Sequence, residues 1–179
     1  MNTMRPSEDP GASGLLSLRA RWLWLLMAVF VFLLDQGTKA VVVSQLAYGD
    51  RVQIYSFFAW VRWHNEGAAF SFLTNAGGWQ RWFFVSVGVA FSIYIIREVL
   101  IAPIEKRLMG LVYALILGGA LGNLYDRALN GYVVDFILVH YQGYHFPAFN
   151  VADSALFSGI VIWMLLLFFS KEPLERTSH

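Results

Sequence analysis

Two aspartates, Asp135 and Asp153, stand at the edges of two strongly apolar segments, in the blocks VVDF and FNVADS. An ionised carboxylate is costly away from water unless it is paired or used. Two carboxylates held close together share a proton, because both cannot ionise easily. The ionised member can then take a proton from water, while the protonated member polarises a carbonyl group and protonates the leaving nitrogen. The sequence therefore predicts a catalytic pair of an aspartic peptidase, with no metal and no other cofactor.

Asp153 also has a purely structural interpretation. Asn150 precedes an apolar segment and is a suitable N-cap, which puts Asp153 at the third helical position, where an acidic side chain satisfies free amides. A carboxylate that only caps a helix does not need a second aspartate at the same depth. Because Asp135 is available on the same predicted membrane side, we expect Asp153 to be used chemically.

Other chemistries fit the sequence less well. The chain has no cysteine, which excludes disulfides, thiol catalysis and zinc-thiolate sites. His64, His140 and His145 do not have the spacing of a metallopeptidase helix. Ser154 adjoins Asp153 without a surrounding nucleophile elbow, and the sequence contains no phosphate-binding glycine loop.

Two further blocks supply polar residues near the same membrane face. Asp35 and Lys39 are four residues apart in DQGTK, so on a helix they share a face and can pair in a structural or substrate-positioning role. The block NEGAAFS begins at Asn65, and its small residues, Gly67 among them, let another backbone approach closely. This block predicts an edge for an extended peptide, although a plain turn has the same composition.

The block GGALGNLYDR, residues 118–127, is expected to close an apolar helix. Its small residues favour tight helix packing, and Asn123 and Arg127 fall on one helical face. Arg127 is suited to a lipid phosphate or to holding an aspartate in position. Asp126 adjoins Arg127 and is interpreted as its partner or as a cap.

The composition is that of an integral membrane protein. Hydrophobic residues make up 58% of the 179 residues, charged residues only 14%, and the mean hydropathy is +0.54, whereas a soluble domain carries about a quarter charged residues. A soluble bundle of buried helices is disfavoured because the apolar segments lack polar faces. The formal net charge of +1 gives no reason to expect nucleic acid as a partner.

We predict one integral membrane domain over residues 1–179, with four spans at about 20–45, 79–97, 107–125 and 151–170. Residues 1–18 and 171–179 are expected to be disordered tails. Lysine and arginine are more frequent in the tails and in the connection between the second and third spans, which places both termini in the cytoplasm. The aromatic-rich connection at about 47–78 then faces outward and is predicted to form short strands in the headgroup layer.

The five blocks DQGTK, NEGAAFS, GGALGNLYDR, VVDF and FNVADS occur in this order between these spans, and in this respect the chain resembles the bacterial lipoprotein signal peptidases, or type II signal peptidases. The resemblance implies a four-transmembrane-helix bundle with a small outward-facing β-cradle and a short extracytoplasmic helix or loop. It also implies an aspartic endopeptidase of the bacterial cytoplasmic (inner) membrane. Such an enzyme removes the signal peptide of a prolipoprotein by cutting before a cysteine that carries a diacylglyceryl group.

The resemblance also assigns roles to residues. It implies that Asp135 and Asp153 are the catalytic pair and that the cyclic peptide globomycin inhibits by occupying their site. The positions implied to bind or position the substrate are Asp35, Lys39, Asn65, Gly67, Asn123, Asp126, Arg127 and Asn150. Membrane lipid is an expected partner, and one chain suffices because it contains both aspartates.

Two functions of other classes use the same residues. A proton-coupled transporter would use the aspartates as a relay, but it is expected to place carboxylates near the bilayer midplane and to contain inverted repeats. A lipid-binding scaffold without activity would tolerate asparagine at both positions. No internal repeat is visible in the sequence, and the aspartates cluster at one membrane edge, which favours the peptidase.

Overall fold

The computed structural model describes residues 10–67, 78–101 and 107–169 of the chain, and only the backbone for residues 10–20. Its four helices are α1 (Pro10–Gln45), α2 (Trp79–Ile101), α3 (Arg107–Asn130) and α4 (Val151–Phe169). Its four strands are β1 (Arg51–Tyr55), β2 (Phe58–Asn65), β3 (Val133–Tyr141) and β4 (Tyr144–His145).

All four helices are long and apolar enough to cross a membrane, with the candidate span of α1 running from Arg21 to Gln45. The helix α3 lies at the centre of the bundle, because 56% of its apolar window is buried, compared with 17% for α2 and for α4. The helices expose many large apolar side chains, as expected for helices in contact with lipid. The prediction of a multi-pass membrane protein with four spanning helices is confirmed.

The helices extend beyond some of the predicted spans. The helix α1 begins at Pro10, so residues 10–18, which we expected to be part of a disordered tail, are helical. The helix α3 continues five residues past the predicted end at 125, to Asn130, and ends where Gly131 adopts a φ of +87° and donates its N–H to Arg127 O at 3.2 Å. A glycine in this conformation is a common helix C-terminus. The predicted tails 1–9 and 171–179 lie outside the described residues.

Glycine residues of α3 allow close contact with both neighbouring helices. A Cβ added to Gly118 would come within 2.6 Å of the carbonyl oxygen of Ala28 in α1. A Cβ added to Gly119 would overlap the carbonyl oxygen of Ala152 in α4. The tight packing predicted for the GGALGN segment is therefore present, and it draws α1 and α4 against the same stretch of α3.

The strands form one antiparallel sheet in the order β1-β2-β3-β4, located at the end of the bundle where α1 and α3 finish and α2 and α4 begin. The strands predicted in the first connection are present as β1 and β2, while residues 68–77 of that region lie outside the described part. The connection between α3 and α4 also forms strands, which we did not predict. Because β3 is buried on both faces over Val133–Phe136, it lacks the alternating pattern that identifies a half-exposed strand.

Of the short helix or loop implied by the resemblance, the structure has a loop, the irregular segment 146–150. Among the described residues, the connections at the sheet end contain strands, turns and the irregular segment 146–150, without a further helix. The register of β2 and β3 sets Trp63 opposite Asp135 and Asn65 opposite Val133. This register brings Asn65, the first residue of the NEGAAFS block, beside the VVDF block of the other connection.

Candidate active site

The carboxylate of Asp135 is buried on β3 and accepts hydrogen bonds from two asparagine amides. Asn65 Nδ2 donates to Asp135 Oδ2 at 2.9 Å, and Asn150 Nδ2 donates to Asp135 Oδ1 at 2.8 Å. Asn65 is itself fixed by the backbone N–H of Gly67, which donates to Asn65 Oδ1 at 2.9 Å. Hydrogen bonds to both carboxylate oxygens therefore fix the orientation of the Asp135 side chain.

The carboxylate of Asp153 lies in the first turn of α4, half-buried. Asn150 caps this helix as predicted, since it accepts the N–H of Asp153 at its Oδ1 (2.9 Å) while its own N–H donates to Asp153 Oδ2 at 3.2 Å. The second oxygen, Asp153 Oδ1, accepts a hydrogen bond from Asn123 Nδ2 at 2.7 Å. Asn150 thus contacts both aspartates, one through its side-chain amide and the other through its backbone N–H and its side-chain oxygen.

The electrostatic environment of Asp135 favours a bound proton near neutral pH. Burial, followed by the negative charge of Asp153, raises the pKa of Asp135 to about 7. The amides of Asn65 and Asn150 and the more distant charge of Lys39 oppose this shift without cancelling it. In residues 10–67, 78–101 and 107–169, no lysine or arginine forms an ion pair with either member of this aspartate pair, Asp135 and Asp153.

A second set of acidic side chains lies beside the aspartate pair and is paired with a cation. The Nζ of Lys39 is 2.7 Å from Asp35 Oδ2 and 2.9 Å from Asp126 Oδ2, and all three side chains are almost completely buried. We call these three residues the Lys39 cluster. The predicted pairing of Asp35 with Lys39 is confirmed. Asp126, which we interpreted as a partner of Arg127 or as a cap, pairs instead with Lys39.

The Lys39 cluster joins three helices and the sheet. Asp35 Oδ1 accepts the N–H of Ala152 at 2.8 Å, which ties α1 to the start of α4. Asp126 Oδ2 accepts the N–H of Val134 at 3.3 Å, which ties α3 to β3 just before Asp135. A Cβ on Gly122 would come within 2.6 Å of Asp35 Oδ2, so the helices meet here only because this position is a glycine.

Asn123 connects the Lys39 cluster with the aspartate pair. Its Oδ1 accepts hydrogen bonds from Lys39 Nζ and from Asn150 Nδ2, each at 3.2 Å, and its Nδ2 donates to Asp153. An amide in this position is oriented unambiguously, because its oxygen faces two donors and its nitrogen faces an acceptor. The two groups of side chains therefore form one continuous hydrogen-bonded network.

Arg127 lies half-buried next to this network. Its guanidinium group is 5.5 Å from the ring centroid of Phe84, and its charge interacts with the charges of Asp153 and Asp135. Within the described residues its Nε has no hydrogen-bond partner. Of the two interpretations offered by the sequence, the placement fits an arginine that acts on the aspartate pair, while a lipid phosphate remains a prediction.

Two neighbours of the site were not singled out from the sequence. Gln36 Nε2 lies within hydrogen-bond distance of Asp35 Oδ2 at 3.1 Å, and of Gly122 O and Asp126 Oδ1 at 3.2 Å each. Its position inside the DQGTK block is the only sequence signal for this role. Trp63, which lies opposite Asp135 in the sheet, is 37% exposed and adds an aromatic surface beside the carboxylate.

Comparisons with known proteins agree in pointing to one family. The model of the family described as "Signal peptidase (SPase) II" matches residues 27–169. The lipoprotein signal peptidase of Acinetobacter baumannii (strain AB307-0294) is 47% identical over 156 residues, covering 87% of this chain and 89% of the relative. The lipoprotein signal peptidase of Cellvibrio japonicus (strain Ueda107) is 47% identical over 151 residues, covering 84% and 89%.

Solved structures show the same fold. One bacterial membrane enzyme solved by the in meso method at 1.9 Å resolution has a TM-score of 0.74 and 32% sequence identity, covering 83% of this chain and 94% of the solved one. A second, solved at 2.3 Å resolution, has a TM-score of 0.75 and 30% identity, covering 88% and 94%.

Proposed function

The chain belongs to the signal peptidase II family, whose members remove the signal peptides of prolipoproteins, and we propose that it does so as an aspartic endopeptidase with Asp135 and Asp153 as its catalytic pair. The observation that carries this proposal is the shared contact with Asn150, which holds the two carboxylates together while no cation pairs with either in the described residues. The pKa of about 7 for Asp135 supports it, because a proton is then present on the pair near neutral pH.

In the proposed mechanism Asp135 holds the shared proton at rest, since it is the more deeply buried member, and Asp153 is ionised. Asp153 takes a proton from a water molecule, whose oxygen forms a bond to the scissile carbonyl carbon while Asp135 donates its proton toward the carbonyl oxygen. The tetrahedral intermediate then collapses. The C–N bond breaks, the proton taken up by Asp153 passes to the leaving nitrogen, and a hydroxyl group of the intermediate returns its proton to Asp135 as the new carboxyl group forms.

The substrate we propose is a prolipoprotein that carries a diacylglyceryl group on the cysteine after the cut. The relatives are lipoprotein signal peptidases, which supports a prolipoprotein as the substrate, and the four apolar helices support a membrane in which its lipid is held. We place the enzyme in the bacterial cytoplasmic membrane with both termini in the cytoplasm, on the basis of the lysine and arginine distribution. The sheet and the aspartate pair then face outward, where globomycin would compete with the substrate.

The remaining polar residues have positioning roles in this proposal. Asn65 and Asn150 orient Asp135, while Asn123 and Asn150 orient Asp153. Gly67 adopts a φ of +107°, which favours glycine, and a Cβ there would come within 2.8 Å of the Phe84 ring. The complete set proposed to bind or position the substrate is Asp35, Lys39, Asn65, Gly67, Asn123, Asp126, Arg127 and Asn150.

The competing transporter function has less support. Asp135 lies on a strand outside the candidate spans, and Asp153 lies in the first turn of α4, so neither is near the middle of a spanning helix. A relay across the bilayer needs carboxylates along its depth. The arrangement at one end of the bundle suits a reaction at the membrane surface, for which one chain is sufficient.

The test is cleavage of a diacylglyceryl-modified prolipoprotein by the purified enzyme in detergent or lipid. We expect Asp135→Asn and Asp153→Asn each to lower kcat by at least about 10³-fold, because each removes a group that transfers a proton. The matched control is Asp50→Asn, which changes an exposed aspartate that accepts the N–H of Ala47 in a turn. Full activity of either pair variant, with the control also active, would reject the proposed catalytic pair.

A further inference from the structure

His64 lies on β2 directly before Asn65, and two tyrosine rings contact its imidazole ring. The ring of Tyr132 stacks on it with centroids 3.7 Å apart and planes 13° apart. The ring of Tyr48 lies with its centroid 4.3 Å from that of His64 and its plane tilted by 36°. We call these three residues the His64 stack. It joins β2 to the turn between α1 and β1, which contains Tyr48, and to the residue before β3, which is Tyr132.

A β-bulge separates the part of β2 that contains His64 from the rest of the strand. Trp60 pairs with Ile137 on β3. Trp63, three residues later, pairs with Asp135, which is only two residues before Ile137. One extra residue of β2 therefore lies between these pairs and interrupts the ladder. The register of Trp60 does not by itself fix the register of Trp63 and the residues that follow it.

Burial in the core also fails to fix the register of the last part of β2. Ala59 and Val61 of this strand form a core cluster with Leu138, and all three are completely buried. Such burial specifies a register strongly, because a slip by one residue would turn the buried side chains to the other face. From Arg62 to Asn65, all of which the structure describes, β2 has no fully buried residue. This part of the strand depends on other contacts for its register with β3.

The contact between His64 and Tyr132 supplies a constraint of this kind. His64 pairs with Val134, and Tyr132 is two residues before Val134 along the chain. The two rings therefore form a diagonal cross-strand pair, which aromatic side chains are long enough to make. If β2 slipped by one residue, His64 would turn to the opposite face and the rings would separate. The His64 stack thus fixes the register of β2 after the bulge.

The hydrogen bond that orients Asp135 depends on the same register. Asn65 pairs with Val133, and Asp135 is two residues after Val133, so this contact is diagonal as well. Because side chains alternate along a strand, Asn65 lies on the face opposite to that of His64. A shift of β2 that separates the His64 stack also moves Asn65 Nδ2 from its position 2.9 Å from Asp135 Oδ2.

The imidazole of His64 acts through the faces of its ring. Its Nε2 is buried and has no hydrogen-bond partner among the residues that the structure describes. Burial, followed by the charge of Arg62, lowers the pKa of His64 from its ordinary value, and the charge of Glu66 opposes this shift without cancelling it. The ring is therefore uncharged at neutral pH, and we expect a ring without polar atoms to serve in its place.

We propose that His64 is a positioning residue of the aspartate pair, which acts through Asn65 by holding the end of β2 in register with β3. This assignment rests on the proposed function. It requires no contact between His64 and the substrate, because the effect passes through the hydrogen bond from Asn65 to Asp135. Loss of the stack then misplaces the carboxyl group of Asp135 without removing it, which lowers kcat rather than weakening substrate binding.

The test is a double-mutant cycle that measures kcat and KM of the full-length enzyme with a diacylglyceryl-modified prolipoprotein. We expect His64→Ala to lower kcat about tenfold and to change KM by less than about twofold, because a reacting group is misplaced. In the Asn65→Ala background, which lacks the hydrogen bond to Asp135, the same change should lower kcat by less than about twofold. If Asn65→Ala is too inactive to measure, the carbon-13 signal of the Asp135 carboxyl group provides the same cycle.

Two further variants separate the ring from its nitrogen atoms and from its location. His64→Phe keeps an aromatic ring and should retain the kcat of the unchanged protein. The matched control is His145→Ala, which removes an exposed histidine on β4, at the other end of β3, and should also retain it. Thermal denaturation confirms that the variants are folded. If His64→Ala does not fold, Tyr132→Leu removes the same stacked contact from the other strand, and the same results are expected.

Three outcomes would overturn the assignment. An unchanged kcat after loss of the stacked contact means that the His64 stack does not position the pair. An equal loss with and without the Asn65 side chain means that His64 acts by another route. A loss in His64→Phe as large as in His64→Ala means that a nitrogen atom is required instead of the ring. If the unchanged protein does not cleave the substrate, or if Asp135→Asn cleaves it, the proposed function itself fails, whatever His64 does.

Discussion

The aspartate pair and the Lys39 cluster each hold two aspartates at the same end of the bundle, but among the residues that the structure describes only the cluster places a cation between them. In the cluster, Lys39 Nζ lies within 2.9 Å of both Asp35 and Asp126. In the pair, the groups that contact the carboxylates of Asp135 and Asp153 are neutral amides and backbone N–H groups. One arrangement stabilises ionised carboxylates, and the other leaves a proton to be exchanged.

Aspartate therefore has two different roles within one hydrogen-bonded network. A buried carboxylate in an ion pair with a lysine acts as a fixed connector, here between α1, α3, α4 and β3. A buried carboxylate that receives only amide hydrogen bonds keeps a pKa near neutrality, as Asp135 does at about 7. The amide of Asn123, which contacts both groups, separates the charged region from the titrating one.

Removing the cation should have the largest effect on stability. We expect Lys39→Met to lower the free energy of unfolding by about 3–5 kcal/mol, because it leaves two buried carboxylates without a positively charged partner. The control is Arg97→Met, which breaks the ion pair with Glu98, where the arginine side chain is 65% exposed, and should change stability by at most about 1 kcal/mol. Denaturation in detergent micelles measures both. Equal effects of the two substitutions would show that the Lys39 cluster is not a structural connector.

Removing the link within the aspartate pair should affect activity more than stability. Asn150→Ala deletes the amide that orients Asp135 and the cap of α4, so we expect about a 10²-fold loss of kcat from misplacement and about 1–2 kcal/mol of stability. Ser154→Ala is the control, since Ser154 Oγ donates to Asn150 O at 2.9 Å in the same turn and not to either aspartate. Steady-state kinetics measure kcat of both variants. Equal kcat values for Asn150→Ala and Ser154→Ala would show that Asn150 does not orient the aspartate pair.

The pair should also give stability a pH dependence of known sign. The folded pKa of Asp135, about 7, lies above its ordinary value of 3.8, so the folded state binds more protons between these values. Stability from this group is complete below pH 3.8 and is lost as the pH rises through about 7. Melting temperatures measured from pH 4 to 8 should fall over this window and should lose that slope in Asp135→Asn. A slope that persists unchanged in the variant would assign it to another group.

Local sequence patterns were sufficient for much of the fold. The apolar segments identified the four helices, and the spacing of Asp35 and Lys39 identified their contact, because helical periodicity relates residues one turn apart. The cap at Asn150 was visible for the same reason. The strand β3 was missed because its burial on both faces removes the alternation of polar and apolar residues.

The parts of the site that could not be predicted from the sequence are contacts between segments that are distant along the chain. Asp126 was interpreted as the partner of its neighbour Arg127 or as a cap, whereas its partner, Lys39, belongs to another helix. The amide of Gln36 reaches Gly122 and Asp126, also across helices, and no local pattern encodes that distance. The closeness of Asp135 to Asp153 was inferred from their shared membrane side. The sequence did not show that Asn150 holds them together by hydrogen bonds to both, because this requires the relative positions of β3 and the start of α4.

The most direct test of a proton shared by Asp135 and Asp153 is the titration of the Asp135 carboxyl by carbon-13 NMR of the labelled protein, with the signal assigned by its loss in Asp135→Asn. We predict an apparent pKa near 7 in the unchanged protein and a lower pKa in Asp153→Asn, because the charge of Asp153 is one of the causes of the shift. Burial should keep the second value above 3.8. An Asp135 that titrates near 3.8 in the unchanged protein, or whose pKa is the same in both proteins, would contradict a proton shared by the two aspartates.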